Sequence, residues 1–232
     1  MTLGWFGFSS IGIIGPAVAM VISHFIMALY LMFNLQLKQK IIKLTPCSIS
    51  LHSFKDIMKV GGGGLINSVT IAGTVAVVTA AVSKHGVEAL AGYGLGSRLE
   101  IIITPLVFGI GSVLTASVGI NVGAQQLPRA KMIAWTGAFI SFCVVGLLGA
   151  TVTIFPDIWL NNFESSKLIR DYATSYLIIV APFYCFFAAG QTLYFASQGL
   201  GKIFYPVIVG IIRLLSVSII CYYVTFYDLS LN

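Results

Sequence analysis

Charge is what this sequence has least of. Of 232 residues, 13 are Lys or Arg and 7 are Asp or Glu, so charged side chains make up 9% of the chain against 58% hydrophobic ones. Soluble domains carry about 25% charged residues. A water-soluble fold, which needs a charged skin, is therefore excluded, and most of the surface must face lipid. Cysteine is also sparse. Cys47, Cys143, Cys185 and Cys221 are too widely spaced for a disulfide framework or a zinc pattern and read as small apolar side chains. His24, His52 and His85 are isolated from one another, so no ligand cluster is expected. The opening residues have no basic stretch before an apolar run and do not read as a signal peptide. Period-two alternation is missing, which excludes a transmembrane β-barrel. The formal net charge of +6 is scattered over short segments between apolar runs, so no nucleic-acid partner is expected.

What the sequence does have is six long apolar runs, at about 11–37, 57–82, 87–123, 132–155, 172–199 and 203–227. Roughly 20 residues of helix cross a hydrocarbon core. In lipid only helices and closed barrels satisfy the backbone. The fold class is thus all-α, a polytopic transmembrane helical bundle in a cell membrane, with the bilayer as its first partner. Lys38, Lys40, Lys43, Lys55 and Lys59 fall in the loop after the first span and the start of the second, Arg129 and Lys131 in the loop after the third, and Lys202 in the loop after the fifth, so alternate loops are basic. By the positive-inside rule the loops at 38–55, 124–131 and 200–202 are cytoplasmic. The opposite loops lean acidic, with Glu88, Asp157, Glu164, Asp171 and Asp228 beside Lys84, Lys167 and Arg170. The segment 37–54, with Pro46 and three lysines, reads as a linker, and its Ile41-Ile-Lys-Leu44 run as a short interfacial helix. It divides one span from a five-span unit.

Three charged residues lie well inside spans, away from their ends: Arg98, Glu100 and Arg213. An ionised group at the bilayer centre costs roughly 2.5–3.5 kcal/mol, so each must face protein or water. Helical spacing puts Tyr93, Ser97, Glu100 and Thr104 on one face, whereas Arg98 points away from Glu100. Glu100 then needs another donor or a proton, with Arg213 as a candidate partner. It reads either as a coupling or substrate-binding carboxylate or as half of a structural ion pair. Asn67, Thr70 and Thr74 form a second polar stripe, and Phe187, Gln191, Tyr194 and Gln198 a third. Each alone suits helix–helix glue. Converging, they would line a cavity for a lipophilic cation. The small residues Gly109, Ser112, Ala116, Gly119 and Gly123 are expected to admit a close neighbouring helix, and Pro105, Pro182 and Pro206 to permit kinks. No strand precedes Gly92-Tyr-Gly-Leu-Gly96, so it is not a dinucleotide loop.

The run Gly86-Val-Glu-Ala-Leu-Ala-Gly-Tyr-Gly-Leu-Gly-Ser-Arg-Leu-Glu100, followed by Pro105-Leu-Val-Phe-Gly-Ile-Gly111, Val118-Gly-Ile-Asn-Val-Gly-Ala124 and Arg129-Ala130, resembles the seventh-to-eighth-helix region of the MATE (multidrug and toxic compound extrusion) family. Gly12 to Ser23 looks like that family's sixth helix, and Tyr194 to Gly201 with Pro206 and Arg213 like its tenth and eleventh. The resemblance implies an incomplete two-lobed transporter. Residues 1–36 would be a short tail and the last helix of the N-terminal lobe, 37–54 the cytoplasmic inter-lobe linker, and 55–232 five transmembrane helices of the C-terminal lobe. The missing helices of the same transporter would be its partners. The implied activity is antiport driven by Na⁺ or H⁺, exporting small organic cations or drugs, with no cofactor beyond the transported ion. Some members place ion-binding carboxylates on the seventh and tenth helices, where this chain has Ile71 and Phe187. What carries over is the Arg98 and Glu100 pattern, with Gln191, Tyr194 and Gln198 as cavity residues.

A lipid-linked oligosaccharide flippase of the wider superfamily is the alternative. It calls for several basic groups around a pyrophosphate, and only Arg98 and Arg213 qualify. A third reading is an inactive transporter fragment, since one lobe cannot form a two-lobed cleft. No paired carboxylates, His cluster or activated nucleophile point to an enzyme.

Overall fold

The computed structural model describes residues 14–34, 50–163 and 166–231. Among them it places α1 (Ile14–Phe33), α2 (Leu51–Ser83), α3 (Val87–Ser97), α4 (Leu99–Gly123), α5 (Leu127–Ile154), α6 (Pro156–Leu160), α7 (Lys167–Val180), α8 (Tyr184–Gly199) and α9 (Phe204–Leu231), with a 3-10 turn at Ala181–Phe183. No strand occurs among the described residues. Six stretches are long and apolar enough to cross a membrane: Ile14–Phe33, Gly61–Ser83, Val87–Gly123, Leu127–Ile154, Lys167–Gly199 and Phe204–Thr225. This is a multi-pass membrane protein, in the span order that hydropathy predicts. The tail at 1–13, most of the linker (35–49, with Lys38, Lys40, Lys43 and Cys47) and Glu164 lie outside the described residues.

The chain divides into two compact units, Met1–Leu51 and His52–Asn232. In the first, α1 returns its polar groups to its own backbone: Ser23 Oγ donates to the Ala19 carbonyl at 2.8 Å, and His24 Nδ1 lies 2.7 Å from that of Met20. In the second unit α8 packs on both α4 and α5, α4 packs on α5, and α3 packs on α7. The core between them is built from Leu99, Ile103 and Val107 of α4, Val145 and Val152 of α5, Leu177 of α7, and Tyr184 and Ala188 of α8.

The buried row of α4, Ile103, Val107, Gly111, Leu114 and Val118, is not the small-residue row singled out in the sequence. Ser112 and Ala116 are exposed, and a Cβ at Gly109 or Gly123 would meet nothing within 4 Å. Only Gly119 of that row sits at a close approach, beside Gly199. Small residues permit proximity, but dispersion contacts of bulky side chains decide which face packs. The tight approaches lie elsewhere. A Cβ at Gly149 would run into the Ala181 carbonyl oxygen, and one at Gly199 would lie 2.5 Å from that of Thr115. Thr115 Oγ1 closes the second contact with a 2.9 Å bond to the Phe195 carbonyl.

Thr192 of α8 is wholly buried, donates to its own Ala188 carbonyl at 2.7 Å and is hydrogen-bonded to the Ser141 hydroxyl of α5 at 2.8 Å. Interhelical hydroxyl bonds of this kind are worth about 0.6 kcal/mol in membrane proteins. Thr192→Val is therefore expected to lower the unfolding free energy by about that amount, with a melting shift in detergent as the readout.

Several boundaries differ from the sequence expectation. Helix α2 starts at Leu51, inside the segment assigned to the linker, because no Gly or Pro interrupts residues 51–60. Helix α5 starts at Leu127 with Pro128 in its first turn, where a missing N–H costs nothing, so Arg129 and Lys131 are helical rather than in a loop. Helix α6 has no counterpart in the hydropathy reading. Arg170 of α7 ties down that corner through Asp157 at 2.6 Å and Asn161 at 2.5 Å. The third span is divided into α3 and α4 at Arg98, where the backbone stays right-handed helical but tightens, the Ile101 N–H donating to the Arg98 carbonyl at 3.1 Å. Of the cysteines, Cys185 is buried as expected, but Cys143 is exposed.

Candidate functional site

Arg98 lies between α3 and α4, and it and Glu100 line the same groove. Glu100 lies in the first turn of α4, half-buried, and its Oε1 accepts hydrogen bonds from two phenols: Tyr184 at 3.1 Å and Tyr176 at 3.3 Å. The two hydroxyls are 3.4 Å apart. Tyr176 comes from α7, and Tyr184 is the first residue of α8, delivered by the 3-10 turn that carries Pro182. The ring of Tyr93 meets that of Tyr176 edge-on, with centroids 5.4 Å apart. Neutral hydroxyls thus hold the carboxyl, and among the described residues no basic side chain is ion-paired with it. Arg98 is exposed, and its guanidinium stands 5.6 Å over the ring of Phe163. Trp159 braces the same corner, donating from Nε1 to the Leu95 carbonyl at 3.2 Å, just before the turn.

Tyr93, Ser97, Glu100 and Thr104 do share a face, as the helical spacing requires. They line a groove of about 770 Å³ together with Val75 and Thr79 of α2 and with Arg98. Asn67, Gln191, Tyr194 and Arg213 do not join them. Those four line a second cavity of about 600 Å³ between α2, α8 and α9, together with Phe187. The three polar stripes therefore serve two cavities rather than one, and Arg213, a candidate partner for Glu100, belongs to the other cavity. The reason is geometric: Asn67 of α2 and Arg213 of α9 line this cavity beside the close approach of Gly210 to Thr70, and no residue of α4 is in its lining. Gln198, near the end of α8, lines neither cavity. Thr70 and Thr74 donate to the Asn67 and Thr70 carbonyls at 2.8 and 2.7 Å, so their hydroxyls are satisfied within α2.

Tyr176 and Tyr184 were not singled out in the sequence. They lie in an apolar run among many aromatics, on either side of the 3-10 turn at Ala181–Phe183, and meet at Glu100 only in the folded bundle. Among the described residues no group of His, Cys, Asp and Glu side chains is placed to hold a metal ion.

The MatE family model matches residues 65–224. The chain is 27% identical over 217 residues to a probable multidrug resistance protein, NorM, of Thermotoga maritima, covering 92% of this chain and 46% of that protein. It is 22% identical over 225 residues to another, YoeA, of Bacillus subtilis, covering 94% and 48%. A shorter match, 29% identical over 122 residues, covers 51% of this chain and 27% of a FAD transporter of Shewanella oneidensis. The chain thus spans about half the length of the first two relatives.

Proposed function

This chain belongs to the MATE family of membrane transporters, and from that premise we propose that it works as part of a cation-coupled antiporter that exports organic cations or drugs. Relatives named as multidrug resistance proteins support the substrate class. The observation that carries the mechanism is Glu100, held at Oε1 by Tyr176 and Tyr184 with no cation bound to it in an ion pair among the described residues, on the wall of an open groove. A carboxyl in that setting can take up Na⁺ or H⁺, release it when cationic cargo arrives, and take it up again once the cargo has left. The two phenols keep it in place while its charge changes hands. Tyr93, Ser97 and Thr104 supply polar groups along the same groove, and Arg98, over the ring of Phe163, is not ion-paired with the acid.

On this reading the protein is a transporter rather than an enzyme and needs no cofactor besides the ion it moves. Further helices of the same transporter complete the cleft, and the basic segments around 38–55, 124–131 and 200–202 face the cytoplasm. The flippase alternative loses ground because Arg98 and Arg213 line different cavities and do not converge on one pyrophosphate.

The test is tracer flux of an organic cation from proteoliposomes holding the full-length transporter, under an imposed Na⁺ or pH gradient. Gradient-driven accumulation is expected with one ion and not the other; equal flux with neither would refute coupling. In the same assay Tyr184→Phe removes the shorter of the two bonds. Hydrogen bonds to charged groups are worth about 1.5–3 kcal/mol, so exchange is expected to slow about tenfold or more at unchanged protein level.

A further inference from the structure

The transport reading leaves one charged group unused. Arg213 of α9 is half-buried, and its Nε and Nη2 are both shut off from solvent without a hydrogen-bond partner. It lines the cavity of about 600 Å³, which contains no Asp or Glu. The buried polar groups lining the cavity with it are Asn67, Gln191 and Tyr194, each less than 10% exposed; the exposed Tyr205 also lines it, and its walls include the rings of Phe186 and Phe187. Buried guanidinium N–H groups bind carboxylate or phosphate in preference to amide or hydroxyl oxygens, because the fork of donors matches two anionic oxygens at once. An amide, a phenol and flat aromatic walls suit a ring system attached to that anion.

We propose that the Arg213 cavity is an anion subsite that receives the carboxylate or phosphate of an aromatic molecule. Among cationic cargo, zwitterions that also carry an acidic end are favoured over simple organic cations. This deepens the transport reading and rests on it only for the claim that the ligand is cargo. The anion balances a charge that the described part of the protein leaves uncompensated. Ordered this way, the α8–α9 cavity sorts substrates by their acidic group, and the Glu100 groove handles the exchanged cation.

The test is equilibrium binding to the purified full-length transporter, by calorimetry, of two probes with one ring system: 1-naphthyl phosphate and 1-naphthylmethylammonium. Wild type is expected to bind the phosphate. Arg213→Met should weaken it about tenfold or more while changing the ammonium probe less than about twofold. Gln191→Glu, which puts a carboxylate in the same cavity and leaves Arg213 in place, should cause a comparable loss and keeps the test decisive if Arg213→Met does not fold. No phosphate binding by wild type, unchanged binding in either variant, or equal loss of both probes would overturn the proposal. Binding that follows this pattern without flux of the phosphate probe in proteoliposomes would uphold the subsite and count against the transport reading instead.

Discussion

Glu100→Gln in the full-length transporter is expected to reduce cargo-driven ion exchange to the background of empty liposomes, with expression and melting temperature close to wild type. The amide keeps an acceptor oxygen for Tyr176 and Tyr184, which bond to the glutamate at 3.3 and 3.1 Å, so the packing of α4 against α7 and α8 has little reason to change. What disappears is the charge. An amide cannot bind Na⁺ as a counterion or exchange a proton, and a transport cycle that depends on the carboxyl stops at the first exchange. Glu100→Asp keeps the charge but draws it back by one methylene from hydroxyls that already sit at the long end of hydrogen-bond range. It should retain coupled exchange at a reduced rate. Parallel flux and thermal-melting measurements separate this outcome from simple misfolding, which would lower both together.

Gly149→Ala is expected to destabilise the bundle even though the same exchange at most helix-interior positions stabilises it by about 0.5–1 kcal/mol. The added Cβ would collide with the Ala181 carbonyl oxygen. That obstacle is backbone, and it belongs to the 3-10 turn that delivers Tyr184. Helix α5 must then back away or the turn must shift, and overpacking of this kind costs typically about 1–3 kcal/mol. Gly109 is the matched comparison, because a Cβ there meets nothing within 4 Å. Melting in detergent should show Gly149→Ala well below wild type and Gly109→Ala at or above it. Because the turn carries Tyr184, the Gly149 variant should also lose exchange activity in the fraction that folds. Equal behaviour of the two alanine variants would mean that the α5 approach does not position the tyrosine.

The spans were legible because lipid imposes a length and a composition that soluble folds do not share. Where the boundaries slipped, local chemistry outweighed hydropathy: Pro128 started α5 ahead of its apolar run, and an unbroken 51–60 segment carried α2 into the polar stretch. The face of Tyr93, Ser97, Glu100 and Thr104 was legible because a period of 3.6 holds on either side of the turn at Arg98. Periodicity speaks only within one helix, however. It could not tell that Asn67, Gln191 and Arg213 open on a different cavity from Glu100, since that depends on how α2, α8 and α9 pack. Nor could it pick Tyr176 and Tyr184 out of 10 tyrosines, since their contact with Glu100 depends on how α7 and α8 pack against α4. The small-residue row of α4 misled for a related reason: permission to pack closely was present on one face, and the bulky residues that gain from packing were on another.

The most direct test of the exchange at Glu100 needs no membrane gradient. Saturating cationic cargo is added to the purified full-length transporter, once in weak buffer with a pH indicator dye and once after loading with tracer Na⁺, and the ion released per transporter is counted. Release of about one H⁺ or one Na⁺ from wild type and none from Glu100→Gln, with the cargo still binding to both proteins, is the expected result. Equal release from the two proteins, or cargo binding to wild type with no ion released, would contradict it.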